Sequence, residues 1–402
     1  MGESTIVQSD SIEGSGFPLA FKVSAGSHRP AILRNEVGSD VFRVEARAMG
    51  GHQKEAVVTQ GDGGTAWRLT SDEGPGLGGS DLAPFPLGFF NAAQQADFLG
   101  RIARLAQKRG IDLQGATTTC DNHYASEGSF FTGSGRGSAQ APTLSIALRS
   151  TSRAAAIAGL VRDAVGKSAL LALARVPLVN TFALYVNGKR VPVSSMPASL
   201  ARDELDPFKA HRGAPRPLLG AAAPTDLIRK ARGDQAAVVP RRVPGDGRVE
   251  IPVHGNAELL DPRGLVSTET WLAMAPASRF VFKADERGDG ETAPTGVALG
   301  LAGIAFCYMT QLIRYVEYRK YKVRAVRMVQ TSPLGLVANN GGPLQATVGP
   351  TDTHLYVHAE EPDEVMQALL ALGAIRCYLH ATLAESLTPR ISATLNGDLL
   401  TL

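Results

Sequence analysis

The sequence predicts an α+β protein built from two copies of one β-rich, two-helix unit, and three observations predict it. Residues 83–112 match residues 293–322 without a gap, at an offset of 210, so that AlaProPheProLeuGlyPhePhe stands over AlaProThrGlyValAlaLeuGly. A second gapless block pairs Pro142-Thr143 through Asn187-Gly188 with Thr351-Asp352 through Asn396-Gly397, at an offset of 209. The length of 402 residues exceeds one small core and suits two domains of about 150 residues each.

The elements follow in order. Alternating runs at 41–48 (ValPheArgValGluAlaArgAla) and 66–70 (AlaTrpArgLeuThr), separated by glycine-rich turns, read as an antiparallel meander because period-two alternation buries one face of a strand. The loop SerAspGluGlyProGlyLeuGlyGlySer at 71–80 leads into a long helix at 86–109. Strands follow near 112–120 and 142–149, the second with Leu144, Ile146 and Leu148 on one face. A helical stretch at 152–175 and a strand at 180–186 complete the unit. The second unit repeats this order with strands near 249–254, 268–274 and 279–284 and a helix at 295–319. Strands at 321–329 and 353–358, a helix at 362–385 and a strand at 390–395 close it. Between the units, residues 196–245 hold seven prolines and no sustained periodicity, which is how a linker reads, with a short helix expected at 223–232. The expected domains are therefore 1–195 and 246–402, joined by 196–245.

Composition sets the class. A hydrophobic content of 44% with 20% charged residues is that of a soluble globular protein, and a net charge of +3 does not argue for nucleic acid. The linker's basic residues alternate with Asp203, Glu204, Asp206, Asp226 and Asp234, the pattern of a solvated connector. The N-terminus has neither a basic start nor an apolar run, and Ile6 stands where a myristoylation motif needs Ser or Thr. Three cysteines without an export signal point to a reducing cytoplasm. Thr295 to Ile313 carries no charge and approaches the ~20 residues of a membrane span. Its matching segment carries Asp97, Arg101 and Arg104, which a spanning helix tolerates poorly, and Gly296, Gly300 and Gly303 suit close packing, so a core helix and no membrane partner are expected.

The two copies differ where chemistry would sit. Asp97 falls opposite Cys307, Arg104 opposite Arg314 and Ser168 opposite Cys377. Around these positions the chain reads Trp67-Arg68-Leu69, Asp72-Glu73, Gly78-Gly79 and Ala83-Pro84-Phe85-Pro86, then Asp285-Glu286 and Ala293-Pro294 in the second copy. This pattern, with a long helix, two strands, a second helix and a closing strand, resembles the OsmC/Ohr family of thiol peroxidases in both units. The resemblance implies a fused pair folding as an intramolecular pseudo-dimer, with antiparallel sheets around central helices. It implies that Cys307 corresponds to the peroxidatic cysteine and Cys377 to the resolving one, leaving a degenerate site at Asp97 and Ser168. Two departures keep a reassigned chemistry on the same scaffold open. The family's glutamate at the start of the long helix is replaced by Gly296, Val297 and Ala298, and a CysProVal-like sequence by Cys377-Tyr378-Leu379-His380.

A cysteine attacks as its thiolate, and an unassisted thiol near pKa ~8.5 is mostly protonated at neutral pH, so it needs a polar neighbour. Thr310, Gln311 and Arg314 follow Cys307 at i+3, i+4 and i+7 on one helical face, with Arg314 about 10 Å along the axis. His380, at i+3 from Cys377, is a base for it or a half-exposed helix residue, the latter reading being favoured. Asp97 and Arg101 are i,i+4 partners for an ion pair, or Asp97 is an acid/base group. His354, Tyr356 and His358 read as a solvent-facing row, with the two imidazoles about 13 Å apart along a strand. Cys120, Asp121 and His123 form half of a zinc pattern, and GlySerGlyArgGlySer at 133–138 reads as a flexible loop without the flanks of a phosphate loop. No metal and no cofactor are expected. The leading expectation is a thiol-dependent reduction of a small hydroperoxide through Cys307 and Cys377, with an external dithiol as reductant. A cysteine nucleophile acting on a non-peroxide metabolite and a non-catalytic binding protein are the alternatives.

Overall fold

The computed structural model describes residues 10–23, 39–60, 65–129, 133–207, 215, 217, 226–231, 248–273, 278–287, 291–338 and 342–402. After a single helical turn at Ile12–Ser15 come β1 (Ala20–Val23), β2 (Ser39–Ala48), β3 (Lys54–Gln60) and β4 (Ala66–Ser71). The helix α1 (Pro86–Arg109) precedes β5 (Leu113–Glu127), β6 (Arg136–Ala139) and β7 (Thr143–Ser150). Helices α2 (Ala154–Lys167) and α3 (Ala169–Arg175) lead to β8 (Thr181–Val186) and β9 (Lys189–Val191). The order then recurs: β10 (Ile228–Lys230), β11 (Val249–Asp261), β12 (Leu265–Leu272), β13 (Phe280–Asp285), α4 (Gly296–Arg319), β14 (Val323–Ala338), β15 (Leu344–Val348) and β16 (Asp352–Ala359). It closes with α5 (Asp363–Arg376), α6 (Tyr378–Ala384), β17 (Arg390–Leu395) and β18 (Asp398–Leu400).

The two long helices lie where the sequence predicts, and their ends show why. Pro86 opens α1 at a position where a missing N–H costs nothing, and Gly110 ends it in the left-handed region at φ 62°. In α4 the Thr295 hydroxyl oxygen accepts the Ala298 N–H at 3.2 Å. The expected helices at 152–175 and 362–385 are each broken in two, at Ser168 and at Cys377. Their side chains cap the second piece, so the capping residues that divide these helices are the matched pair that differs between the copies. Two other expectations fail. Residues 228–230 form a strand paired with β13 in place of a helix, and 136–139 form a strand paired with β5 in place of a flexible loop. Most of 196–245, including 208–214 and 232–245, lies outside the described residues.

The strands make two sheets whose orders are β1-β4-β3-β2-β14-β16-β8-β9 and β10-β13-β12-β11-β5-β7-β17-β18, with β15 on β14 and β6 on β5. Adding nine to each strand number, counting on from eighteen to one, turns the first order into the second. Each sheet is spliced from both halves: β14 lies antiparallel to β2, and β16 lies parallel to β8. The same joins recur between β11 and β5 and between β17 and β7. Asn187 (φ 51°) with Gly188 (φ 84°), and Asn396 (φ 54°) with Gly397 (φ 98°), supply the left-handed pair that a two-residue hairpin needs.

Helix α4 packs on β2, β3 and β14, α1 packs on β5, β11 and β12, and the two helices pack against each other between the sheets. Gly296, Gly300 and Gly303 make that approach possible. A Cβ at Gly300 would lie 2.4 Å from Leu170 Cδ1, and one at Gly303 3.0 Å from Pro86 O. The uncharged stretch of α4 is wholly buried in the protein, which is the packing of a core helix.

Candidate functional site

Cys307 sits in the middle of α4, 2% exposed, and Cys377 at the break between α5 and α6, 0% exposed. The chain turns by 71° at that break. The Cys377 backbone is extended, and its sulfur accepts the His380 N–H at 3.4 Å, a capping bond at the start of α6. Burial first, and then the neighbouring Cys307, push the Cys377 thiol well above its ordinary range; the N–H groups of His380 and Leu379 pull the other way. The two thiols are therefore neighbours, Cys377 at the α5–α6 break and Cys307 in the middle of α4.

Gln311 and Arg314 lie one and two turns further along α4. The Arg314 Nη1 donates to Gln311 Oε1 at 3.3 Å, so these two expected supporting residues engage each other. Arg314 reaches the site through Tyr378: burial raises that phenol, the Arg314 charge lowers it and the Cys307 charge raises it. Arg376 joins the group, pushed below its ordinary range by burial and by the like charge of Arg314. It is seated under β6, where a Cβ at Gly135 would fall 1.8 Å from Arg376 Nη2. The glycines of the 133–138 run thus make room for Arg376, the residue before Cys377.

His380 is a correction. It is 5% exposed, not half-exposed, because Phe182 of the first half packs at 5.7 Å and Tyr308 at 4.9 Å between ring centroids. Burial lowers its pKa to about 4, and neither ring nitrogen has a hydrogen-bond partner among the described residues. It is a neutral imidazole at neutral pH.

Thr310 leads to two residues that the sequence reading missed as site members. Its hydroxyl donates to Glu73 Oε1 at 2.5 Å and accepts from Lys54 Nζ at 2.9 Å, while Lys54 also binds Glu73 at 3.2 Å and the His52 carbonyl at 2.8 Å. Lys54 is completely buried. The Asp72-Glu73 pair was visible as part of a motif. That its carboxylate serves the other half's helix follows only from the interleaved sheets.

The matching position in the first copy is built from oxygen. The Asp97 carboxylate accepts from Ser168 Oγ at 2.7 Å, Leu170 N at 3.2 Å and Arg101 Nε at 3.1 Å. Ser168 Oγ in turn accepts the Leu171 N–H at 3.2 Å. A carboxylate with three donors on it is an anchored group, and the i,i+4 ion pair is the reading that the geometry matches. Glu286 lies against it with its carboxylate on the Gly296 N–H, held there because Gly100 leaves space. Burial and the Asp97 charge raise Glu286 to about 7, opposed by the Gly296 N–H, Arg101 and Arg104. A carboxylate does reach the start of α4, then, but from just past the end of β13 and on the Asp97 side.

The remaining candidates are not brought to the thiols as ligands. Alternation on β5 sends Cys120 inward and Asp121 outward, where it meets His254 Nδ1 at 2.6 Å. Cys120 is held by burial far above the ordinary thiol range. His354 and Tyr356 do not face solvent: residues 197–204 lie across their strand, with Ser199 Oγ 3.3 Å from His354 Nε2 and the Tyr356 hydroxyl donating to Glu204 O at 3.1 Å. Only His358 of that row is exposed.

No family model matches the chain, and no curated protein matches it. Among solved structures it is similar to an OsmC-like hydroperoxide resistance protein from Jannaschia sp. CCS1, with 21% identity over 37% of this chain and 95% of that one, at a TM-score of 0.25.

Proposed function

We propose that the chain is a single-chain counterpart of an OsmC-like dimer, with units at 1–195 and 246–402 joined by 196–245, that reduces a hydroperoxide at Cys307 and Cys377. The observation that carries this reading is that two buried cysteines from different helical segments are neighbours, close enough for Cys307 to raise the Cys377 thiol. Cys307 sulfur forms a bond to the terminal oxygen of ROOH, the O–O bond breaks, and ROH leaves with the proton that Cys307 gave up. Cys307 is then a sulfenic acid. Cys377 sulfur attacks it, the S–O bond breaks, and the hydroxyl leaves as water with the Cys377 proton. An external dithiol reduces the resulting disulfide. A thiol already beside Cys307 suits the resolving step, because capture competes with over-oxidation and needs no long approach.

A second reading keeps Cys307 as a nucleophile but directs it at carbon or sulfur of a non-peroxide metabolite. What favours it is that Glu286 lies on the Asp97 side and that Gly296, Val297 and Ala298 stand where the family has its helix-start carboxylate. Consumption of cumene hydroperoxide with dithiothreitol separates the two. The proposed cycle requires that Cys307→Ser abolish it, to below about one hundredth of wild type; activity retained in that variant overturns the reading, and a covalent adduct on Cys307 from a non-peroxide electrophile with no peroxide turnover favours the second.

A further inference from the structure

Tyr124 comes from the first half, whereas both thiols come from the second. On β5 the residues Thr118, Cys120, Asn122 and Tyr124 point to the same inner face. The first three are engaged by α1: Thr118 Oγ1 donates to Gln95 Oε1 at 3.0 Å, Asn122 Nδ2 donates to Gln94 Oε1 at 2.9 Å, and Cys120 Sγ lies 3.9 Å from the same Gln94 oxygen. Tyr124 is not. Its ring lies 5.9 Å from that of Tyr378, the residue next to Cys377, and its hydroxyl is buried with no hydrogen-bond partner among the described residues. A buried hydroxyl without a partner is costly to a fold and rare. Its place beside a reactive pair suggests that the partner is a substrate oxygen.

We infer that Tyr124 is the hydrogen-bond donor to the oxygen that leaves when Cys307 attacks a hydroperoxide, so that the catalytic centre is completed by the half that carries Asp97 and Ser168 in place of the cysteine pair. This rests on the reading proposed above. As the sulfur–oxygen bond forms and the O–O bond breaks, negative charge collects on the alkyl-side oxygen, and a donor already fixed in place stabilises it without reorganisation. The proton that ends on ROH is still the one lost by Cys307; Tyr124 lends a hydrogen bond and keeps its own proton. Burial, and then the charges of Cys307, Cys120 and Cys377, push its phenol well above the ordinary range, which suits a donor that stays protonated.

The test compares wild type and Tyr124→Phe, which removes one oxygen and keeps the ring, by stopped-flow oxidation with cumene hydroperoxide and by reaction with dipyridyl disulfide. The disulfide's leaving group is sulfur and needs no oxygen donor. The expected result is a hydroperoxide rate slower by about 100-fold, a disulfide rate within about twofold, and a melting temperature equal to or above wild type. Equal hydroperoxide rates in the two proteins overturn the donor role, and so does an equal slowing with both probes, which marks a structural effect. A wild type that is inert to hydroperoxide while its thiols react with the disulfide overturns the peroxidase reading itself, a failure visible without the variant.

Discussion

Cys377 and Ser168 occupy matching positions at matching helix breaks, and the atom each carries decides what the site can do. Ser168 gives its hydrogen to Asp97, while Cys377 has Cys307 as its neighbour. The pairing of different residue types was legible in the sequence, because a gapless match forces Asp97 over Cys307. What each residue touches was not. His380 is the clearest instance: a residue at i+3 from the cap looks half-exposed on its own helix, and Phe182 covers it only because β8 lies beside β16. Its pKa is lowered from 6.5 to about 4. A depressed histidine contributes stability that is present above the unfolded value and is lost as pH falls through the folded one. The wild type should therefore lose stability between about pH 6.5 and pH 4. His380→Leu should flatten that window, and thermal melts at pH 8 and pH 5 should show a larger gain for the variant at pH 5; an unchanged pH profile would contradict a buried neutral imidazole.

At the scale of elements, long regular segments were legible and spliced ones were not. The helix α1 lies at 86–109 as expected because proline, glycine and basic last-turn residues mark its ends. The strand β3 escaped notice because in LysGluAlaValValThrGln the inner residues Ala56 and Val58 alternate with Glu55 and Val57, and Glu55 is itself buried by ion pairs to Arg47 and Arg68. Covered on both faces, such a strand has no clean period. The start of α4 carries a pH dependence of opposite sense to that of His380. Burial, and then the Asp97 charge, raise Glu286 from 4.5 to about 7 against the Gly296 N–H, Arg101 and Arg104. A raised carboxyl contributes stability that is full below its unfolded pKa and is lost as pH rises through the folded one. Glu286→Gln keeps an oxygen for Gly296 and removes the charge. It should melt higher than wild type at pH 8, by a margin on the order of a few kcal/mol in stability, and should match it near pH 4.5. Equal melting temperatures at pH 8 would show that the arginines fully compensate the charge.

The molecule as a whole is two sheets around a helix pair, and both sheets take strands from both halves. The internal match made two similar units legible, and the order of elements within each was readable from alternation and helical runs. Which strand lies beside which was beyond reach, because a pattern of buried faces says nothing of the neighbour along the hydrogen-bonding edge: β2 reads the same whether it borders β5 or β14. That interleaving is what carries Tyr124, Lys54 and Glu73 toward a helix of the opposite half. The central claim is that Cys307 and Cys377 form one redox pair within this composite site. Treating the reduced protein with a single equivalent of cumene hydroperoxide, blocking free thiols and mapping peptides without reduction tests it most directly. A Cys307–Cys377 disulfide within one chain, with Cys120 still blocked as a free thiol, is the predicted result. Finding Cys307 and Cys377 both free, or separately over-oxidised with no bond between them, would contradict it.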